Sequence, residues 1–194
     1  MNKYWSNIVE KLTPYSPGEQ PKDKILFKLN TNENPYGPSN KVLDAIKLNA
    51  KENLRLYPDP ESRALKQTIA NYYNLSEPNV FVGNGSDEIL AFIFQALLKK
   101  EDPILFPDIT YSFYPAYCRL YNIEYIRVPL DKDFNINLDD YLIPNGGIIF
   151  PNPNAPTGIS KELIDIENLI KRNQDSVVVI DEAYVDFGAE SATS

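Results

Sequence analysis

The sequence predicts an α/β fold, a three-layer α/β/α sandwich built on a mostly parallel sheet. From Ser39 onwards, short runs rich in valine and isoleucine alternate with stretches of helical length. Such alternation covers both faces of a parallel sheet with helices. With 194 residues, of which 43% are hydrophobic and 24% charged, the chain can build one sizeable core and is not of a disordered type.

The first 38 residues are rich in proline, asparagine and tyrosine, which predicts an arm with little regular structure and one short strand at Ile25–Leu29. Ser39 can cap a helix that runs to about Asn53. The run Tyr57-Pro58-Asp59-Pro60 then breaks the chain, and a second helix ends near Tyr73.

Strands and helices alternate in the remainder. Strands are predicted at Asn79–Val82, Pro103–Phe106, Ile123–Val128, Gly147–Phe150 and Ser176–Ile180, and helices at about 86–99, 111–121 and 160–173. Because ligands bind beyond the carboxyl ends of parallel strands, the residues that directly follow each strand are the candidate site.

Charge and composition exclude several classes of function. The net charge of −8, without a strongly basic stretch, argues against nucleic-acid and anionic-membrane partners. No apolar run approaches the roughly 20 residues of a membrane span, and the N-terminus lacks a signal-peptide pattern. Cys118 is the single cysteine, so a cytoplasmic location is expected. The absence of histidine excludes histidine-dependent triads, and we assign no metal ligands.

A glycine-rich segment follows the first core strand. Gly83-Asn84-Gly85-Ser86-Asp87-Glu88 leads directly into an apolar helix. The glycines permit close backbone approach, and the N–H groups of Ser86 and Asp87 with the Ser86 hydroxyl could hold a phosphate. An ordinary helix cap by Ser86 or Asp87 is the alternative. The glycine spacing matches neither the dinucleotide nor the P-loop pattern.

Three later strands also end in polar or aromatic residues. Tyr111 could stack on a flat heterocycle, or simply pack in the core. The run Pro151–Gly158 is a rigid loop whose asparagines offer hydrogen bonds at fixed points, or a tight turn. Asp181 ends a buried strand, so its carboxylate requires a cation such as a protonated cofactor ring or a structural ion pair. Tyr184 follows three residues later, on the same side of a helical turn.

Taken in order, these segments resemble the fold-type I aminotransferases that depend on pyridoxal phosphate. The resemblance covers essentially the whole chain and rests on Leu29–Pro38, Arg55-Leu56-Tyr57-Pro58-Asp59, Gly85-Ser86-Asp87-Glu88 and Asp181-Glu182-Ala183-Tyr184. It implies pyridoxal 5'-phosphate as cofactor, with Tyr57 reaching the phosphate of a neighbouring subunit in a homodimer. The implied cofactor-binding residues are Tyr57, Gly85, Ser86, Asp87, Tyr111, Asn154, Asp181 and Tyr184.

Within that family, Leu12-Thr13-Pro14-Tyr15 and the run Asp181–Ser191 are most similar to the histidinol-phosphate aminotransferase group. This similarity implies amino transfer between L-histidinol phosphate and 2-oxoglutarate, giving imidazole acetol phosphate and glutamate, with Tyr15 and Asn32 near the substrate. Residues 1–38 would then be an arm and small-domain segment. Residues 39–194 would be the first part of an aspartate aminotransferase-like large domain.

The chain departs from the family pattern at two points. Ala155 stands where the family has an asparagine before Pro-Thr-Gly, so Asn154 is expected to take over its bond to the cofactor. The family's Schiff-base lysine, which lies on a strand after Asp181, is not among these residues. We therefore assign no catalytic residue and expect the 194 residues alone to be inactive.

Three alternatives remain open at this point. The first is another aminotransferase or a threonine-phosphate decarboxylase of the same subgroup. The second is a non-catalytic remnant or binding module that retains part of the cofactor pocket. The third is a nucleotide-binding α/β domain, against which the missing glycine fingerprints argue.

Overall fold

The computed structural model describes residues 3–12, 29–98 and 101–193. The described residues fall into two compact units, the first within Met1–Leu12 and Ala64–Ser194 and the second within Thr13–Arg63. The predicted strand at Ile25–Leu29 lies, apart from Leu29, outside the described residues. The predicted domain boundary after residue 38 stays a prediction.

The helices and strands follow the predicted alternation. In chain order the described α-helices are α1 (Asn7–Lys11), α2 (Asn40–Asn49), α3 (Arg63–Tyr72), α4 (Gly85–Ala96), α5 (Tyr114–Tyr121) and α6 (Leu163–Arg172). The described strands are β1 (Ile104–Pro107), β2 (Tyr125–Val128), β3 (Gly147–Pro151) and β4 (Val178–Asp181). Among the described helices, none combines the length and apolarity that crossing a membrane requires.

The four strands form one parallel sheet in the order β2-β1-β3-β4. In the centre, Ile104 of β1 pairs with Tyr125 on one side and Gly147 on the other. Every residue of β1 and β3 is buried, as expected for central strands that have helices on both faces. The predicted parallel sheet is therefore confirmed.

Alternate residues of the strands enter two separate apolar cores. On one face, Ile104, Phe106 and Ile149 pack with side chains of α4 and α5. On the other face, Leu105, Ile148 and Phe150 pack with α6 and a 3₁₀ turn. The period of two along each strand thus produces the three layers, and the predicted α/β/α sandwich is confirmed.

The predicted strand at Asn79–Val82 is wrong. A 3₁₀ turn occupies Glu77–Asn79, and the residues that follow pair with no strand in the described part of the chain. The backbone at Val80 is extended, but extension alone does not make a strand. Phe81 is 68% exposed, and its ring packs edge-on against Phe92 at 5.8 Å.

Candidate functional site

The topology of the sheet creates a crevice at the carboxyl ends of β1 and β3. The chain leaves β1 for β2 on one side and returns to β3 on the other, which makes this the switch point where ligands of open parallel sheets bind. A hydrogen bond joins the two diverging loops, because the Thr110 hydroxyl donates to Asn154 Oδ1 at 3.0 Å. The two loops are therefore held together beneath the crevice.

A cavity of about 290 Å³ opens at this end of the sheet. Its wall includes six of the residues that the sequence predicted for a cofactor. These six are Gly85, Ser86, Asp87, Tyr111, Asp181 and Tyr184. The remaining wall consists of Asn84, Leu90, Pro151, Ala155 and Ala183. The fold thus brings together residues from four segments of sequence that lie between Asn84 and Tyr184.

The N-terminus of α4 supplies the backbone amides of the cavity. Gly85 has φ +81°, a left-handed conformation that a glycine adopts without strain, and it turns the chain into the helix. The cap residue is Asn84, whose N–H donates to Glu88 Oε2 at 2.6 Å. Ser86 and Asp87 lie inside the first turn, so neither is the cap. The Gly85 N–H donates to the Gly83 carbonyl at 3.1 Å, whereas the N–H groups of Ser86 and Asp87 have no carbonyl one helical turn before them and can bind an anion.

The Asp87 carboxylate is held beside this turn by an aromatic residue. Tyr111 donates its hydroxyl to Asp87 Oδ1 at 2.7 Å, and its ring stacks on Phe113 at 5.6 Å. Tyr111 precedes α5 by three residues and does not open that helix as predicted, because α5 begins only at Tyr114. Its ring forms part of the cavity wall, where it offers a flat apolar surface.

Asp181 lies at the carboxyl end of β4 and is half-buried. Its Oδ2 accepts a hydrogen bond from the Tyr114 hydroxyl at 2.8 Å, and its Oδ1 accepts one from the Ala183 N–H at 3.2 Å. In the described part of the chain, neither Asp181 nor Asp87 forms an ion pair with lysine or arginine. Among the described residues, the cavity wall carries two carboxylates and no basic side chain. An arrangement of this kind favours a ligand with a cationic group.

Two tyrosines of α5, Tyr114 and Tyr117, have a raised pKa. Burial and then the charge of Asp181 raise the pKa of Tyr114 well above its usual range. Burial, followed by the charge of Asp87, raises the pKa of Tyr117 to about 12, and its hydroxyl donates to the Asp87 carbonyl at 2.9 Å. Both hydroxyls therefore remain hydrogen-bond donors at neutral pH.

Asn154 lies behind the cavity wall and not on it. Only 1% of its surface is exposed. Its Nδ2 donates to the Ile109 carbonyl at 3.0 Å and to the Thr157 hydroxyl at 3.2 Å, while its Oδ1 accepts from Thr110. Ala155 lines the cavity in its place. The amide thus braces the loops after β1 and β3.

Three predicted site residues are not among those that the structure brings together. Tyr57 and Asn32 lie in the second unit; Tyr57 is fully exposed, and Asn32 is exposed with φ +52°. Tyr15 lies outside the described residues. No group of three or more histidine, cysteine, aspartate or glutamate side chains in the described ranges is arranged to hold a metal ion.

Sequence reasoning missed Tyr114, Tyr117 and Thr110, which position the residues on the wall. A signal for the tyrosines was present, because tyrosines at 111, 114 and 117 recur every third residue directly after a strand. That spacing places side chains on one side of a helix. With thirteen tyrosines in the chain, this spacing alone does not distinguish them from packing tyrosines.

Comparison with known proteins identifies the family to which the sequence is similar. A family model described as aminotransferase class I and II matches residues 24–194. The chain is similar to histidinol-phosphate aminotransferase 1 of Methylococcus capsulatus, with 62% identity over all of this chain and 54% of that protein. It is also similar to histidinol-phosphate aminotransferase 1 of Pseudomonas fluorescens, with 60% identity over all of this chain and 55% of that protein. The chain thus spans about half the length of the curated relatives it matches.

A solved structure has the same fold. The histidinol-phosphate aminotransferase of Sinorhizobium meliloti in complex with pyridoxal-5'-phosphate superposes with a TM-score of 0.84 at 23% identity. The match covers 98% of this chain and 54% of that one. This likeness agrees with the three-layer sandwich described above.

Proposed function

This chain belongs to the aminotransferase class I and II family, and from that premise we propose that it forms the cofactor-binding part of an aminotransferase dependent on pyridoxal phosphate. The proposed reaction moves an amino group between L-histidinol phosphate and 2-oxoglutarate, giving imidazole acetol phosphate and glutamate. The observation that carries the proposal is Asp181, a carboxylate on a cavity wall without a basic neighbour among the described residues.

The residues present fit pyridoxal phosphate. When bound, this cofactor supplies an aldehyde that takes up amino groups and a pyridine ring that accepts electrons. Asp181 would hold the protonated ring nitrogen, and the Tyr111 ring would stack on the pyridine. The amides of Ser86 and Asp87, after the turn at Gly85, would bind the phosphate. Tyr184 would donate to the phenolic oxygen, and Asn154 would act indirectly, through the loops that it braces.

The substrate assignment rests on sequence similarity. Identities of about 60% over the whole chain connect it to proteins named histidinol-phosphate aminotransferase. Tyr15 and Asn32 are proposed to lie near the substrate in the complete protein.

A homodimer and a cytoplasmic location belong to the same proposal. Tyr57 is fully exposed, as expected of a residue that reaches into a partner subunit. Helix α2 has no buried residue, and its apolar side chains Val42, Leu43 and Ile46 are exposed. Such a helix gains stability when its apolar face packs against another surface.

Amino transfer by the complete gene product that contains this chain tests the proposed reaction. We expect glutamate to form from 2-oxoglutarate when L-histidinol phosphate is the donor, and Asp181→Ala to abolish measurable transfer. Aromatic amino acids and threonine phosphate, offered in parallel, separate the related aminotransferases and decarboxylases. A protein that binds pyridoxal phosphate but transforms none of these compounds would be a binding module, and the proposed reaction would be wrong.

A cofactor analogue tests the role of Asp181 without an activity assay. Replacement of the pyridine nitrogen by carbon removes the cation but keeps the ring and the phosphate. The wild-type protein is expected to prefer pyridoxal phosphate to this analogue, and Asp181→Asn to lose that preference. Equal preference in both proteins would exclude Asp181 as the partner of the ring nitrogen.

A further inference from the structure

We propose that Tyr114 is a positioning residue that fixes the Asp181 carboxylate in the orientation needed to hold a cationic ring. The inference rests on the proposed function, because it concerns how the same cavity receives the cofactor. It assigns a role to a residue that does not itself line the cavity.

The geometry around Tyr114 is that of a rigid donor. The side chain is fully buried at the start of α5, and its ring packs against Phe94 at 5.9 Å, Phe106 at 5.8 Å and Tyr111 at 5.7 Å. The two contacts with Phe106 and Tyr111 are edge-on, which disfavours rotation of the ring. The hydroxyl is thereby aimed at Asp181 Oδ2, 2.8 Å away.

Asp181 needs such a donor because, without Tyr114, only one of its two carboxylate oxygens would accept a hydrogen bond from the described residues. The Ala183 N–H binds Oδ1 at 3.2 Å, a longer bond made by the loop that follows β4. A carboxylate bound at one oxygen only can rotate about its terminal side-chain bond, whose preference is broad. With Tyr114 on Oδ2 and Ala183 on Oδ1, its plane is set, and lone pairs on each oxygen stay available to a ligand.

The donor also keeps its proton. Burial and the neighbouring carboxylate raise the pKa of Tyr114 well above its usual range, so the hydroxyl remains neutral wherever an enzyme of this kind would work. A lysine or arginine at this position would compete with the ligand for the negative charge of Asp181. A neutral tyrosine hydroxyl orients the carboxylate without cancelling its charge, so the carboxylate remains attractive to a cation.

Tyr114→Phe in the complete gene product tests the proposal, because it removes only the hydroxyl oxygen and keeps the ring. Two quantities would be measured. One is the dissociation constant of pyridoxal phosphate. The other is the ¹⁵N chemical shift of the labelled ring nitrogen, which reports its protonation. We expect about tenfold weaker binding, since the lost bond involves a charged group, and a ring-nitrogen signal moved toward the unprotonated position.

A double-mutant cycle separates positioning from packing. If the hydroxyl acts through the carboxylate, Tyr114→Phe added to Asp181→Asn has little further effect on either quantity. Tyr141→Phe is the matched control, because it removes another buried tyrosine hydroxyl, one in the core on the opposite face of the sheet. That control is expected to leave the ring-nitrogen signal unchanged. Thermal unfolding of each variant verifies that it is folded.

The outcomes distinguish this inference from the proposed function. If Asp181→Asn weakens binding but Tyr114→Phe changes neither quantity, the positioning role is wrong and the cofactor assignment stands. If Tyr114→Phe weakens binding equally in the wild-type protein and in the Asp181→Asn variant, the residue acts through packing and the inference is also overturned. If the wild-type protein does not bind pyridoxal phosphate, both proposals are wrong.

Discussion

Replacement of Asn154 by alanine is expected to destabilise the protein whether or not a cofactor is bound. The side chain is 1% exposed and joins the loops after β1 and β3 through Thr110, Ile109 and Thr157. Alanine would remove all three hydrogen bonds together. A loss of stability without cofactor would show that Asn154 stabilises the fold itself and does not act only by contacting the cofactor.

The size of the effect follows from the partners that would be left behind. A buried polar group that loses its partner costs about 1–3 kcal/mol. Two groups would be affected most, the Thr110 hydroxyl and the Ile109 carbonyl, because the Thr157 hydroxyl also lies 3.5 Å from the Asn154 carbonyl, which the substitution retains. Water that enters the crevice would recover part of the loss. The expected net loss is therefore about 2–3 kcal/mol, a large part of the 5–15 kcal/mol that typically separates folded and unfolded states.

Urea unfolding of the complete gene product, with and without pyridoxal phosphate, would measure this loss. Asn168→Ala is the matched control, because Asn168 is exposed on α6 and its change should stay within about 0.5 kcal/mol. The brace is refuted if Asn154→Ala lowers the unfolding free energy no more than the control does. It is equally refuted if the loss occurs only when cofactor is present.

The remaining predictions concern stability and reactivity away from the cavity wall. Gly147→Ala should lower the free energy of unfolding by about 2 kcal/mol or more in thermal or urea unfolding, because φ at Gly147 is +149° and an added Cβ would collide with Leu98. Gly37→Ala is the control and should be close to neutral, because an added Cβ there meets nothing within 4 Å. Stability should fall between about pH 9 and 12, because burial raises the pKa of Cys118 from 9.0 to about 12 and that of Tyr117 from 10.0 to about 12. In that window the unfolded chain releases protons that the folded protein retains, so a stability that stayed constant up to pH 12 in urea titrations would contradict these two pKa shifts. The Cys118 thiol, buried and almost entirely protonated, should not react with a thiol reagent at pH 8 until the protein is unfolded, and rapid labelling of the native protein would be inconsistent with its burial.

The sheet was predictable from the sequence because its strands carry a strong local signal. The runs at Pro103–Phe106, Gly147–Phe150 and Ser176–Ile180 are short, apolar and bounded by turn residues. Each became a strand within two residues of the predicted limits. The run at Asn79–Val82 has the same local character but forms no strand, because strand formation also requires a neighbour to pair with. Local sequence does not contain that information.

The site was predictable to the extent that it follows from topology. Once the strands are parallel, residues at and after their carboxyl ends meet at one edge, and this brings together Tyr111, Ala155 and Asp181. What the rule does not supply is the direction of a side chain. Asn154 follows β3 as predicted but turns into the protein, because Thr110 and Ile109 offer it partners there. The neighbouring Ala155, without a polar group, is left on the wall.

The negative charge of the cavity is retained because its carboxylates are held by neutral hydrogen-bond donors. Each of its two carboxylates, Asp87 and Asp181, accepts a hydrogen bond from a tyrosine hydroxyl, Tyr111 and Tyr114 respectively. Neutral donors fix the direction of both side chains and leave both charges in place, whereas basic side chains would neutralise them. In the proposed site, the amides at the start of α4 would bind an anionic group of a ligand, and Asp181 would bind a cationic group. A ligand that carries a phosphate at one end and a protonated aromatic nitrogen at the other satisfies both requirements. The described residues therefore favour pyridoxal phosphate over a nucleotide, because the neutral base of a nucleotide would leave the carboxylate without a cation.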